Sequence, residues 1–510
     1  MQGFENLNNE GSERAGAISA RALMYVQQLA SSKMILAMNV ADTYPELKDK
    51  VSAIEYYSTR ASVFLLNALM SNGQVRVIIM PKSDQIGIKE LMEYLMKNFK
   101  VSAKILFVDH ENFTHSAIVA TLGYLRKNIY RLEQSVKVLA DKLLLFGYSN
   151  ETLQDIESAF NEVGAGHLFD YFKDLVGENS FESFVTSSES SPNSKFFFRK
   201  SFQDFFDSQY NARVQTITFV SAREVLDDNN ILRDRFSNSN CVFVKRMDAA
   251  SGVGIKRIDL HGEHNFDSLL KHLYELERQN VNLSNVLVES AVPNTDMEFS
   301  AQFWIDDEHE ARFLGLTEQI IKNNEHQGNV TSFDPRFINN ILHNDDIEYL
   351  RQFVYKLAKE SLYKGYLSID LIGNKNKWAP LEANARVTGA TAPLFVAASL
   401  SFASLQDNFF PYVSTLNTFS FAEIAKAKYP ELEQEQIINA KIEKLRMNSV
   451  LSVLRDAELL ASFGKDGFKK GVIPYLAALP SKTGLLAVAR SKKEAEETMQ
   501  KAQDVLSELV

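Results

Sequence analysis

Residues 366–393 constrain the fold more than any other stretch, because apolar and polar residues alternate on both sides of a polar turn. An alternation with a period of two predicts two strands, and a turn centred near Asn376 would set Asp370 opposite Glu382. Two facing carboxylates repel each other, so a cation is expected between them. Oxygen ligands from Asp, Glu and Asn favour a hard ion such as Mg²⁺. Taken alone, these residues equally fit a hairpin with an acidic solvent face.

The size and composition of the chain exclude several classes of protein. A chain of 510 residues is too long to fold around a single hydrophobic core, which predicts two to four domains. A formal net charge of -10 argues against a general nucleic-acid-binding protein. The single cysteine, Cys241, excludes an intrachain disulfide and fits a reducing compartment. We find neither an apolar run that could cross a bilayer nor a signal-peptide pattern, so we expect a cytoplasmic protein with no membrane partner.

The first 190 residues read as an α/β region. Strand-like runs at 33–40, 75–80 and 104–108 alternate with helical patterns such as 88–99, which predicts a parallel sheet. Residues 134–172 have helical periodicity throughout. A serine-rich stretch at 187–194 then marks a loop or domain boundary.

Two lysines follow this boundary. Lys195 comes directly after it, and Lys245 ends the strand-like run 241–245 just before a loop that contains Gly252 and Gly254. Glycines let backbone N–H groups approach an anion closely, which is how many proteins bind phosphate. The loop is neither a Walker P-loop nor a Gly-x-Gly-x-x-Gly loop. On this loop alone, a glycine hairpin with a solvated lysine remains the alternative.

In chain order, the two lysines, the glycine loop, Glu298 and the Asp…Glu-x-Asn-x-Arg hairpin resemble the ATP-grasp superfamily over residues 193–400. The resemblance implies that one or two Mg²⁺ ions bind Asp370, Glu382 and Asn384. It also implies that ATP binds the two lysines, the glycine-rich lid, the adenine hinge and the ribose acid, which are Lys195, Lys245, Ser251, Gly252, Val253, Gly254, Glu289, Ser290, Ala291, Val292 and Glu298.

The resemblance implies a fold of class α/β and α+β in three parts. These are a pre-ATP-grasp α/β domain (1–190), a two-subdomain ATP-grasp domain (191–400) whose lid spans about 240–305, and a small C-terminal α+β module (401–510). Within the last part, 450–454 reads as a strand and 492–509 as a helix with a solvated charged face. Shorter motifs at 193–195, 315–319, 326–328, 384–389 and 471–475 look most like the peptide ligase of pheganomycin biosynthesis.

The implied reaction is ADP-forming amide synthesis. A carboxylate takes the γ-phosphoryl group of ATP, and the amine of an amino acid or peptide attacks the acylphosphate. Lys245 and Arg386 are the predicted catalytic residues, since Arg386 could hold the acyl carboxylate or its phosphate. The partners implied are these small molecules, and a homodimer is compatible with the resemblance. Candidate substrate contacts are Glu318, His326, Thr388 and Gly389.

Four alternatives stay open at this stage. The acyl group could pass to a carrier-protein thiol, or the chain could bind nucleotide without catalysis. Arg386 could form a surface salt bridge, and His326 could be an ordinary loop histidine.

Overall fold

The structure is a computed structural model, and it describes residues 10–31, 34–37, 77–81, 85–99, 104–108, 142–145, 158, 161, 192, 194–246, 255–260, 266–293, 295–306, 308–322, 325–386, 388–403, 409–433, 436, 442, 445–464, 467–475 and 482–510. The described helices are α1 (Glu10–Ser31), α2 (Gln85–Phe99), α3 (Lys195–Ser208), α4 (Ala222–Asp227), α5 (Asn230–Phe236), α6 (Asp267–Arg278), α7 (Pro335–Ile341), α8 (Asn344–Ser361), α9 (Thr391–Ala403), α10 (Phe421–Lys428), α11 (Met447–Asp456) and α12 (Lys492–Ser507).

The first part of the chain contains a parallel sheet, as the alternating pattern predicts. Its strands are β1 (Met34–Ala37), β2 (Val77–Pro81), β3 (Lys104–Val108) and β4 (Lys142–Leu145), in the order β3-β2-β1-β4. All three pairings are parallel. The prediction of helix throughout 134–172 is wrong at β4. The short apolar run Lys-Leu-Leu-Leu fits either periodicity, and pairing with β1 decides for a strand.

An eight-stranded antiparallel sheet dominates the rest of the chain. It has the order β13-β12-β9-β10-β11-β14-β18-β17. Its strands are β9 (Met297–Ile305), β10 (Ala311–Lys322), β11 (Glu325–Ser332), β12 (Gly365–Gly373), β13 (Trp378–Asn384), β14 (Tyr412–Ser420), β17 (Gly471–Pro474) and β18 (Lys482–Ala489), and the pair β15 (Ser462–Gly464) and β16 (Gly467–Lys469) lies apart from it. Strands from the last hundred residues therefore extend the sheet that contains the 366–393 hairpin.

Helices pack against the large sheet and bury its apolar side chains. Phe353 of α8 lies at the centre of an aromatic cluster, 5.6 Å from Phe198, 5.0 Å from Phe202 and 5.6 Å from Phe205 between ring centroids. These phenylalanines recur at helical spacing on α3, so one face of that helix packs against α8. Helix α9 is buried along most of its length. The first residues of α3 are therefore held firmly at the edge of the large sheet.

A second, smaller core surrounds a four-stranded sheet made of β5 (Phe219–Ser221), β6 (Cys241–Arg246), β7 (Ile255–Asp259) and β8 (Val286–Ser290), in the order β5-β8-β6-β7. Ser221 begins α4 with a capping box, as its position predicts. The small sheet includes β5, which precedes the predicted lid range of 240–305, and β9 belongs to the large sheet instead.

The overall class is α/β and α+β, as predicted. The prediction of a strand at 450–454 is wrong, because these residues lie in α11. Its buried side chains Met447, Val450, Leu451 and Leu454 follow helical spacing. None of the described helices is long and apolar enough to span a membrane.

Candidate active site

The hairpin forms as predicted, and it places the two acids side by side. Asp370 on β12 pairs directly with Glu382 on β13, and Ser368 pairs with Asn384. The amide Nδ2 of Asn384 donates a hydrogen bond of 3.0 Å to Asp370 Oδ2. Gln319 Nε2, from β10, donates one of 3.2 Å to Asp370 Oδ1. Both oxygens of Asp370 therefore accept from neutral amides.

Burial and neighbouring charges shift the pKa values of the two carboxyl groups in opposite directions. Burial, and after it the neighbouring charge of Glu382, raise the pKa of Asp370 to about 7. Burial also opposes ionisation of Glu382, but the positive charges of Lys195, Lys245 and Arg386 leave its pKa below the ordinary value. Glu382 is thus ionised at neutral pH while Asp370 is only partly ionised.

Lys195 approaches the carboxylate pair from the start of α3. Ser194 caps this helix through its side chain, which accepts from the N–H of Phe197 and so fixes where the helix begins. Lys195 Nζ lies 3.8 Å from Glu382 Oε2 and donates to the carbonyl of Arg246 at 3.3 Å. Burial lowers the pKa of Lys195, and the negative charge of Glu382 partly offsets this. Lys195 therefore bridges the hairpin and the small sheet.

Glu289 of β8 is the centre of a buried charge cluster. Lys245 Nζ lies 2.6 Å from one of its oxygens, and Arg199 Nε lies 2.5 Å from the other. Burial alone would raise the pKa of Glu289, but Arg199 and Lys245 bring it down to about 2. Arg199 also donates to the carbonyl of Pro380 on β13. The cluster consequently joins α3, the small sheet and the hairpin.

The other predicted nucleotide contacts lie around this cluster. Ser290 accepts at Oγ from the N–H of Thr218 at 3.1 Å, and Ala291 donates its N–H to the Cys241 carbonyl at 3.2 Å. Val292 is half-buried. Burial raises the pKa of the half-buried Glu298, and the charge of Lys245 opposes the increase. The predicted lid residues Ser251, Gly252, Val253 and Gly254 lie outside the described residues.

The donor set of the hairpin fits a hard cation. The described residues contain no group of three or more His, Cys, Asp or Glu side chains that could hold a metal by themselves. Two adjacent carboxylates and the Asn384 amide, however, supply hard oxygen ligands. Mg²⁺ commonly binds through one or two carboxylates, waters and substrate phosphates. The residues present thus fit Mg²⁺ bound together with phosphate.

Three of the four candidate substrate contacts, His326, Thr388 and Gly389, lie close to one another. A Cβ atom on Gly389 would lie 3.6 Å from Cε1 of His326, whose Nδ1 is 3.0 Å from Asn417 Nδ2. Thr388 precedes Gly389, and its N–H donates to Thr391 Oγ1 at 2.9 Å. The charge of Arg386 reaches both Asp370 and Glu382. Arg386 therefore interacts with the carboxylate pair, and Thr388 and Gly389 follow it in the chain.

Glu318 does not join this group. Lys492 Nζ lies 2.6 and 2.8 Å from its two oxygens. Side chains alternate along a strand, so Glu318 points to the opposite face from Gln319, which contacts Asp370. Lys492 belongs to α12, the helix with the predicted solvated charged face, and its side chain stays 41% exposed while it pairs with Glu318.

Sequence reasoning missed Arg199 and Gln319. The available signal for Arg199 was its position four residues after Lys195, which places both on one face of α3. Gln319 follows the alternation of β10, but its contact with Asp370 depends on two intervening strand pairings. No pattern in the local sequence indicates which strands will pair with each other.

No protein-family model matches the chain, and no curated protein matches it. Among solved structures, it is similar to a biotin carboxylase–β-γ-ATP complex from Campylobacter jejuni, with 11% identity and a TM-score of 0.48 over 94% of this chain and 92% of that one. A second is N5-carboxyaminoimidazole synthetase from Staphylococcus aureus complexed with ADP, with 9% identity and a TM-score of 0.45 over 92% and 97%. A third is the biotin carboxylase domain of Hydrogenobacter thermophilus 2-oxoglutarate carboxylase, with 14% identity and a TM-score of 0.44 over 92% and 89%. Similarities at this level assign neither a family nor an activity to the chain.

Proposed function

We propose that this chain is an ATP-grasp ligase that joins a carboxylate to an amine through an acylphosphate and releases ADP and phosphate. One observation supports this most directly. Lys195 lies 3.8 Å from Glu382, and Glu382 pairs with Asp370, so a buried cation and two carboxylates meet where the two sheets approach each other. Phosphoryl transfer needs such a place, because it depends on alignment and charge neutralisation more than on covalent help from the protein.

Each side chain has a distinct role in this proposal. Lys195 and Lys245 bind phosphate oxygens, and the buried Glu289 holds Lys245 in position. Glu298 binds the ribose, and residues 289–292 border the base. Arg386 offers a planar fork to the substrate carboxylate and later to the oxyanion of the tetrahedral intermediate. The amine attacks the acyl carbon, and phosphate leaves with the electron pair of the broken C–O bond.

Asp370, Glu382 and Asn384 would hold Mg²⁺. The ion would supply charge neutralisation on the transferred phosphate. The protein's own contribution is to keep Glu382 ionised through its lysine and arginine neighbours. Because Asp370 has a pKa of about 7, cation binding there displaces a proton that the free protein partly retains.

For the acceptor, we propose an amino acid or peptide, which makes the product a peptide-like amide. The short motifs that resemble a peptide ligase support this choice. Transfer to a carrier-protein thiol is the rival outcome, and mass spectrometry of the product separates a thioester from an amide.

The test is a product assay with Mg²⁺, ATP and a panel of amino acids and short peptides. We expect ADP and phosphate only when an acyl donor and an amine acceptor are both present. Glu382→Gln should reduce turnover at least a hundredfold, as a rough expectation for losing a metal ligand. AMP and pyrophosphate as products would rule out the acylphosphate route.

Glu348→Gln is the matched control. Glu348 is an exposed glutamate on α8 that pairs with Arg351 at 2.7 Å and belongs neither to the hairpin nor to the buried charge cluster. Its substitution should leave turnover unchanged. Equal loss in both variants would mean that Glu382 has no special role.

A further inference from the structure

Buried polar side chains without hydrogen-bond partners lie on the same sheet face as Asp370. Both side-chain atoms of the Asn329 amide are buried and unpaired within the described structure, and so is Oγ1 of Thr317. Asn329 and Thr317 are each 0% exposed. A buried polar group without a partner is costly, so native proteins rarely keep one without a reason.

The strand register places these groups relative to the reaction site. Asp370 pairs with Ser300, which pairs with Thr317, and Gln319 pairs with Asn329. Paired residues share a face, and Thr317 and Gln319 are two positions apart, so all of them lie on the Asp370 side of the sheet. Gln319 contacts Asp370 directly and stands between it and Asn329.

Another unpaired group lies in the loop beside His326. Oγ1 of Thr388 is buried without a partner. Thr388 adjoins Gly389, which lies beside His326, three residues before Asn329 on β11. Unsatisfied polar atoms therefore occur on both the sheet and the loop next to it.

We propose that Asn329 and Thr317 form a subsite that binds an amide group of a peptide substrate, an inference that rests on the proposed ligase function. A carboxamide offers a donor and an acceptor side by side, and a peptide or carboxamide group complements both. Asn329, Thr317 and Thr388 are neutral, so the subsite favours a neutral polar group over an anion.

The distance across the strands from Asp370 to Thr317 and Asn329 determines how long this substrate must be. Neighbouring strands lie about 4.8 Å apart, so Thr317 and Asn329 are roughly 10 and 14 Å from the Asp370 strand. An extended peptide advances about 3.5 Å per residue. A substrate whose carboxylate reacts near Asp370 therefore reaches the subsite if it is roughly three to four residues long, whereas bicarbonate is too short.

Entry requires a local movement, because the unpaired atoms are fully buried. Gly389 is exposed and lies beside His326 on the strand that carries Asn329, and its turn is held by hydrogen bonds between Thr388 and Thr391. Binding of a substrate amide would then give the side chains of Asn329 and Thr317 the hydrogen-bond partners that they lack.

Two substitutions test the subsite without relying on catalysis. Thr317→Val and Asn329→Leu remove polar atoms that make no hydrogen bond, so the melting temperature of the unliganded full chain should stay equal or rise. Thr331→Val is the matched control. Thr331 pairs with Thr317, but its hydroxyl donates to the Leu316 carbonyl at 2.7 Å, so this variant should melt at a lower temperature.

Binding is then measured by thermal shift with amino acids, the corresponding tripeptides and tetrapeptides, and sodium bicarbonate, without nucleotide. We expect peptides to stabilise the wild type and to lose this effect in Thr317→Val and Asn329→Leu. A lower melting temperature in both variants would assign these side chains a structural role and overturn the subsite. If only bicarbonate, or none of the compounds, raises the melting temperature, the assignment of a peptide as the ligand would be overturned.

Kinetics separate this inference from the proposed function. If ADP forms, the KM of one peptide substrate should rise roughly ten- to hundredfold in the variants while the KM of ATP stays unchanged. Unchanged peptide KM values would overturn the subsite but leave the ligase function intact. Peptide-specific thermal shifts without any ADP formation would support the subsite and contradict the ligase function.

Discussion

Glu289→Gln tests the buried charge cluster that joins the two sheets. The pKa of Glu289 falls from its ordinary 4.5 to about 2, although burial opposes this, because Arg199 and Lys245 both contact the carboxylate. One pKa unit corresponds to about 1.4 kcal/mol, so ionisation of this group contributes about 3 kcal/mol to the free energy of unfolding at neutral pH. Only 2% of the side chain is exposed, so solvent screening does not reduce this figure.

The direction of the pH effect follows from the depressed pKa. The unfolded chain takes up the proton near pH 4.5 and the folded chain only near pH 2, so this stabilisation is complete above 4.5 and is lost as the pH falls toward 2. Near pH 3 about half of it should remain. Glutamine keeps the shape of the side chain but removes the charge, which leaves Arg199 and Lys245 buried without an anion.

The measurement is urea unfolding followed by circular dichroism at several pH values. We expect Glu289→Gln to lower the free energy of unfolding by about 3 kcal/mol at pH 7 and by roughly half as much at pH 3. Glu348→Gln, at an exposed ion pair, should cost less than about 1 kcal/mol at either pH. A Glu289→Gln effect that does not depend on pH, or one as small as the control, would refute the assigned charge cluster.

Two further predictions concern the carboxylate pair. Since the pKa of Asp370 is about 7, Mg²⁺ binding at pH 7 should release about half a proton, and the affinity should rise about tenfold from pH 6 to pH 8; calorimetry in buffers of different ionisation enthalpy measures both, and a pH-independent affinity would contradict the assignment. Gln319→Leu removes a hydrogen bond to Asp370 and should weaken Mg²⁺ binding roughly three- to tenfold, whereas Gln203→Leu, at an exposed site on α3, should not change it.

The hairpin could be predicted from the sequence because its information is local. A period of two on either side of a polar turn determines which residues face each other, and the predicted pairing of Asp370 with Glu382 is confirmed. The parallel pairing of the first sheet could also be predicted from the sequence, because strands that alternate with helices rarely form any other kind of sheet.

Contacts between segments that are distant in the sequence could not be predicted from such local patterns. Arg199 reaches Glu289 across 90 positions, and Gln319 reaches Asp370 across 51. Such contacts depend on how the sheets assemble, and no periodicity encodes that. The errors at β4 and α11 arose where a short apolar run fits two periods, so that packing partners rather than local preference decided the outcome.

The order of strands in the large sheet affects how the chain can fold during synthesis. Strand β11, which presents Asn329, pairs on one side with β10 and on the other with β14, which in turn pairs with β18 near the last helix. Until the ribosome has released residues 412–420, β11 would have an unpaired edge open to wrong partners. The outer edge of β11 is therefore paired late, and a chain shortened before β14 would leave this edge exposed and prone to aggregation.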